Sequence, residues 1–297
     1  MKGDIADLSY KRSLIRLLDR PGGRLLLGKI ATHIARAATG NDVEIEYVDG
    51  FWTHRIGPHF FPDSLGFDYR SGHFEAWKGD WEQYTRDFWF QHYQPREGDV
   101  VIDVGAGRGE DTLTFSRAVG ETGRVIAIEA HPLSFKILER FCRCNQLTNV
   151  TLLGIALMDK PGTAEIVGSE SSWMDSAIAR DNGLRGIPVR ATTLNEVCRQ
   201  LELRNIALLK MNIEGAERQA LLGMEQAVGN IRQICVACHD FRFERGEGEW
   251  FRTRSFVEQF LLGHGFTLAS RPDDPREAVR DHVYGLRPEF SPLPGDV

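Results

Sequence analysis

The sequence predicts a doubly wound α/β domain preceded by an N-terminal extension rich in helix and aromatic residues. After Gly98, short apolar runs without polar alternation recur between helical stretches, the pattern of parallel strands covered on both faces. A glycine-rich turn, Gly105 to Gly109, follows the first run, where such sheets bind ligands. With 297 residues, 42% hydrophobic and 26% charged, the chain can bury a sizeable core. That composition excludes a disordered or fibrous protein, and the length suggests one enzyme-sized domain with an appendage.

Residues 1–40 read as two short helices, LIRLLDR and RLLLGKIATHIARAA, broken at Pro21-Gly22-Gly23 and stopped at Gly40. They hold eight Lys/Arg against three Asp/Glu in a chain of net charge −6. The expected role is a helical hairpin docked on the body or on a second copy; peripheral contact with an anionic membrane is the other reading. The acidic remainder argues against nucleic acid as a partner. From Tyr47 to Tyr93 the chain places 15 of its 29 Phe, Trp and Tyr. Within it, WEQYTRDFWFQHY spaces Trp81, Tyr84 and Phe88 at helical intervals, whereas GFWTHRIGPHFFPDSLGFDYRSGHF is too rich in Gly and Pro for one regular element. Either a packed core or a cap over a pocket for sugar rings or other large substrates fits this composition. The expected division is therefore an accessory region, 1–96, and a catalytic domain, 97–297.

The runs DVVIDV (99–104), RVIAIEA (124–130), NVTLLGIAL (149–157), IALLKMN (206–212) and IRQICVACH (231–239) are the predicted parallel strands. FTLAS (266–270) and HVYGL (282–286), with no helix between them, predict an antiparallel edge hairpin. The loop 168–186 is the expected mobile segment. Apolar runs fall short of a membrane span and the opening carries two acids where a signal peptide would be basic, so a soluble cytoplasmic protein is expected. Five thinly spread cysteines fit a reducing compartment. Cys235 and Cys238 point to opposite faces of one strand and read as structural. Thr193 and Glu196 form a capping box.

Three features decide what the loop Asp103-Val104-Gly105-Ala106-Gly107-Arg108-Gly109 binds. A dinucleotide fingerprint would place its third glycine at Glu110. The helix that would receive a pyrophosphate opens with Glu110 and Asp111, which repel it. Asp103 adds a third carboxylate. A ligand with ribose, adenine and a positive charge but no phosphate fits: S-adenosylmethionine. Glu129, 20 residues beyond Gly109, is placed to accept hydrogen bonds from the ribose hydroxyls, and the backbone near Ala156 is expected to flank the adenine. The predicted cofactor contacts are thus Asp103, Gly105, Ala106, Gly107, Gly109, Asp111, Glu129, Ala130 and Ala156.

The segment 97–157, together with IPVRATTLNEV and LLKMNIEGAERQALLGM, resembles the FkbM family of class I S-adenosylmethionine-dependent methyltransferases. The DVGAGRG loop, the EAHP turn and the K-x-N-x-E-G-A-E stretch carry the resemblance, which covers residues 97 to about 242. It implies a Rossmann-like class I methyltransferase sheet and O-methylation, commonly of hydroxyls on sugars, glycolipids or glycosylated natural products. Where that family has Asp in two of its patterns, this chain has Asn195 and Asn212, which keep an acceptor and remove a charge. The swaps leave a divalent metal requirement open and make a silent cofactor-binding subunit conceivable; transfer to nitrogen is the other rival.

Methyl transfer is an in-line displacement, so the protein aligns the acceptor and takes its proton. Residues at the ends of the fourth and fifth strands are the candidates. His239 is the expected general base, since imidazole titrates near neutral pH. Glu214 is expected to orient His239 or bind a substrate hydroxyl, and Asp240 to share a catalytic or metal-binding role. Lys210 and Asn212 are the expected substrate contacts, and Glu217 reads as a helix cap. The acceptor is a small molecule or glycan, and a homo-oligomer fits as well.

Overall fold

A computed structural model describes residues 15, 17–62, 81–166 and 186–287. Contacts divide the chain into two compact units, one formed by residues 1–84 with 139–146, the other by 85–138 with 147–297.

In the first unit, helix α1 (Arg24–Thr39) ends on Gly40, whose φ of 71° supplies the left-handed stop predicted there. Three antiparallel strands follow, β1 (Val43–Val48), β2 (Phe51–Ile56) and β3 (His59–Pro62). This meander departs from the sequence expectation, which treated 50–74 as irregular. Its signal is the alternation Val43-Glu44-Ile45-Glu46, with the valine and isoleucine buried and the glutamates exposed. Leu27, Gly28, Ala31 and Ala35 face inward from α1. At Gly28 a Cβ would lie 2.6 Å from the Ile45 carbonyl oxygen, so only glycine lets the helix lie this close to β1. The Ile45 amide donates to Thr32 Oγ1 (2.8 Å) and the Trp52 indole N–H to Asp19 (3.1 Å). The aromatic residues between 63 and 80, and residues 14 and 16 of the first predicted helix, lie outside the described residues.

Helix α2 (Trp81–Trp89) buries Thr85 and Trp89, not the Trp81, Tyr84 and Phe88 stripe read from spacing. Beyond it the second unit is built on a seven-stranded sheet. Its elements run β4 (Val100–Val104), α3 (Glu110–Val119), β5 (Arg124–Ile128), α4 (Pro132–Cys144), β6 (Val150–Leu153), β7 (Ala156–Leu157), β8 (Gly162–Ile166), β9 (Ile187–Thr192), α5 (Leu194–Gln200), β10 (Ile206–Met211), α6 (Glu217–Leu222), β11 (Ile231–Ala237), α7 (Asp240–Glu244), α8 (Arg254–Gly263), β12 (Thr267–Ala269), α9 (Glu277–Arg280) and β13 (His282–Leu286). The order β12-β13-β11-β10-β4-β5-β6 has parallel pairing from β11 through β6, and β13 runs antiparallel to both β11 and β12. This is the doubly wound α/β sheet the pattern predicts, with its edge hairpin, although the four-residue α9 intervenes between the hairpin strands.

The predicted third strand, 149–157, is divided. Val150–Leu153 joins the main sheet, and after Gly154, whose missing side chain leaves room for the Phe135 ring, Ala156–Leu157 pairs with β9 in a separate small sheet. One face of the main sheet packs on Ile102, Ile126, Leu209, Ile234 and Val283; the other packs on Trp89, Val101, Phe115 and Leu208. Cys235 and Cys238 fall in opposite cores, which fits their structural reading; burial pushes both thiols well above their ordinary pKa. Thr193 Oγ1 accepts the Glu196 amide (3.1 Å), forming the predicted cap of α5. The loop 168–186 falls outside the described residues except for Gly186. No helix among the described residues is long and apolar enough to cross a membrane.

Candidate active site

β4 and β10 are neighbours although helices and strands separate them in sequence, so their carboxyl ends flank a topological switch, where open α/β sheets hold ligands. The glycine turn closes over this point. Gly105, Gly107 and Gly109 have φ of 75°, 57° and 109°. At Gly105 a Cβ would stand 1.9 Å from the Asn212 carbonyl oxygen, so the turn requires glycine to abut the end of β10; at Gly107 the corresponding space is open.

Beneath the turn lies a buried ion cluster. Lys210 (1% exposed) donates to Asp103 Oδ1 (2.8 Å) and to the Gly105 carbonyl (2.7 Å), with Asp111 Oδ2 at 3.7 Å. Thr112 donates to the other Asp103 oxygen (2.7 Å), Thr85 to Asp111 (2.7 Å), and the Trp89 ring lies 5.3 Å from the ammonium. Burial disfavours the Lys210 charge, but Asp103 and Asp111 outweigh it and hold the pKa above its ordinary value. Burial raises the Asp111 pKa against the pull of Lys210. Lys210, expected to touch substrate, is instead committed to holding the loop, and Asp103 lies fully buried below it rather than facing a ligand.

Glu129 follows β5 directly and accepts the Gly107 amide through Oε2 and the His131 amide through Oε1, both at 2.8 Å. Burial raises its pKa to about 7, with those amides working against the shift. Each oxygen retains a second lone pair for a ribose hydroxyl. The loop amides Gly105 and Ala106 are tied to Ile128. Ala130 follows Glu129, half-buried, while Ala156 is buried where β7 pairs with β9. The Asn212 side-chain oxygen is buried without a hydrogen-bond partner, next to the turn. Open space over Gly107, spare acceptors on Glu129 and an unmet amide oxygen fit an adenosyl ligand rich in donors, and the acids opening α3 suit a cationic one. Asn195, the other departure, accepts the Gln226 and Ala227 amides (3.0 and 2.9 Å), a purely local brace.

At the ends of β10 and β11 the predicted residues meet, with a partner that sequence reasoning had treated as a cap. His239 Nε2 lies 3.2 Å from Glu214 and Nδ1 3.2 Å from Glu217. Glu217 is fully buried, also accepts the Gly215 amide (3.1 Å), and leaves its other oxygen without a partner. Burial would lower the His239 pKa, but the two glutamates outweigh it and raise it to about 10. His239 is therefore an imidazolium near neutral pH with both nitrogens engaged, a poor fit to the general-base role expected from its residue type. Glu214 sits at φ 55°, unusual for a side chain with a Cβ, and Arg242 also donates to it. Burial opposes ionisation of Glu214, yet His239 and Arg242 hold its pKa below the ordinary value.

Asp240 is not in this cluster: its Oδ2 accepts the Thr253 and Arg254 amides (3.0 and 2.9 Å), capping α8. Among the described residues no group of three or more His, Cys, Asp or Glu is arranged to hold a metal ion.

A mostly parallel sheet that carries a glycine cradle and a charged cluster at the neighbouring strand ends belongs here to a methyltransferase, as the family match shows. The methyltransferase FkbM domain profile matches residues 103–268, more than half of the sequence. The chain belongs to the FkbM methyltransferase family. It is 28% identical over 223 residues (65% of this chain, 82% of the other) to the 31-O-demethyl-FK506 methyltransferase FkbM of Streptomyces tacrolimicus. It is 32% identical over 104 residues, 34% of this chain, to the AMB antimetabolite synthetase AmbE of Pseudomonas aeruginosa, of whose length it spans only 5%. A solved FkbM methyltransferase from Methylobacillus flagellatus superposes on 74% of this chain with TM-score 0.47 and 15% identity; the chain spans 55% of that structure.

Replacing Lys210 by Met leaves Asp103 buried without its countercharge. Urea denaturation is expected to show a loss of about 3–5 kcal/mol; an unchanged midpoint would mean that the pair does not support the loop. The His239 pKa of about 10 against an ordinary 6.5 fixes a second expectation. Its contribution to stability is complete below pH 6.5 and lost as pH rises through 10. Unfolding free energy measured across that window should fall for the native chain, and His239→Gln should remove this part of the slope.

Proposed function

We propose that the enzyme transfers the cofactor methyl group to a hydroxyl of a sugar, glycan, glycolipid or glycosylated natural product, and that Glu214 is the residue that receives the acceptor. One observation carries this reading. Glu214 is an ionised carboxylate in a left-handed backbone conformation, aimed by an imidazolium and a guanidinium, two residues from the point where β10 meets the cofactor turn. When bound, S-adenosylmethionine supplies an electrophilic methyl group on a sulfonium. The acceptor hydroxyl donates its hydrogen bond to Glu214, which fixes the oxygen for in-line approach and takes its proton as the carbon–oxygen bond forms. His239, itself held by Glu217, and Arg242 position that carboxylate.

The segment after β11 supports a flat, polar acceptor. Phe241 and Phe251 lie 6.0 and 6.4 Å from the His239 ring, and Trp250 packs beside Phe251 (5.7 Å). Phe251 is fully buried, while the half-buried Phe241 and Trp250, with Arg245 over the Phe241 ring, bring aromatic side chains and a cation to the strand ends, a combination suited to sugar rings. The Streptomyces relative, by its name, acts on 31-O-demethyl-FK506, which favours oxygen over nitrogen as the methylated atom.

Cofactor carrying a labelled methyl group, incubated with a panel of hydroxylated glycosides, should yield label in alkali-stable ethers. Label on nitrogen, or none on any acceptor, would contradict the reading. Glu214→Gln is expected to lower kcat on the order of 10²-fold with near-native cofactor affinity; full activity in that variant would remove Glu214 from the reaction.

A further inference from the structure

We propose that the outward face of α1 seats on an anionic lipid bilayer. The inner face of this helix is accounted for, packed through Leu27, Gly28, Ala31 and Ala35. The outer face is not: Leu25, Leu26, Ile30 and Ile34 are 74, 54, 42 and 58% exposed. With Leu17, they make up five of the eight exposed large hydrophobic residues among the described residues, gathered within 18 positions. Single exposed leucines need no explanation, but a contiguous stripe along one helix marks an interaction surface.

Charge selects the occupant. From Arg20 to Asn41 the sequence has four Lys/Arg, one His and no acid, within a chain of net charge −6. Arg24 and Arg36 are braced at the two ends by Asp19 and Asp42, both at 3.1 Å. Lys29 and His33 lie on the exposed side, interleaved with Ile30 and Ile34. Apolar side chains rimmed by cations, on a helix of 16 residues or about 24 Å, match the boundary between acyl chains and anionic headgroups. The acidic balance of the rest of the sequence is repelled by the same lipids, so attraction to them comes from this basic stretch. A second copy fits less well. A two-fold contact sets a patch against itself, and between the two end pairs the stretch holds no acid to meet Lys29 of a second copy.

The test is flotation of the full-length protein with vesicles of phosphatidylcholine containing a minority of phosphatidylglycerol. The native chain should float with them and be released at about 1 M salt, where the Debye length falls to about 3 Å. Ile30→Glu combined with Ile34→Glu should lower partitioning on the order of 100-fold. Lys29→Glu, which keeps the apolar stripe, should lower it roughly tenfold. Both variants should retain native helicity and cofactor affinity. Failure of the native chain to float, equal binding to pure phosphatidylcholine, or an oligomer that the double variant dissociates would each overturn the proposal. Methyl transfer to a soluble acceptor is independent of all three results.

Discussion

The Lys210 ammonium is the constraint on which the site depends. A cation with 1% exposure is costly to bury, by several kcal/mol, unless its field is met at short range. It is met by Asp103, by Asp111 and by the Gly105 carbonyl, which lie on β4, on α3 and in the turn between them. One side chain of β10 therefore fixes the three parts of the cofactor cradle relative to the strand that carries Asn212 and Glu214. The missing side chain at Gly105 completes the coupling, because the turn can close only where no Cβ stands between it and the Asn212 carbonyl.

A second group of buried charges follows the same logic, again with a cation between two acids. Two glutamates share the His239 imidazolium, and Arg242 adds a second cation to Glu214. Glu217 faces inward with no exposure, so its charge is satisfied only by His239 and the Gly215 amide. Removing the histidine proton would take away the cation that lies between Glu214 and Glu217, and these two side chains raise its pKa to about 10 against the effect of burial. The pair thus turns histidine from a proton acceptor into a fixed countercharge, and the side chain left to face an acceptor is Glu214.

Much of this was legible in the sequence, and the gaps have physical causes. Apolar runs broken only by Asp103 and Lys210, Val100 to Val104 and Ile206 to Met211, announced parallel strands. Glycine spacing located the turn because φ near 57–109° selects that residue. Long-range charge pairing was not legible: Lys210 and Asp103 are 107 positions apart and Glu217 and His239 are 22 apart, so residue type alone suggested a substrate contact and a base. Asp240 misled for the opposite reason, since its carboxylate is used by a helix start 13 residues on. The alternation in Val43 to Glu46 was present but was overshadowed by the glycines, prolines and aromatics that follow.

The central claim is that buried charge shapes a cradle for a cationic adenosyl ligand and against a phosphorylated one. Calorimetric titration of the same protein sample with S-adenosylmethionine and with a nicotinamide dinucleotide tests it most directly. The account predicts saturable binding of the first, weakened by Glu129→Ala, and no measurable heat from the second. Tighter binding of the dinucleotide, or sulfonium binding indifferent to Glu129, would contradict it.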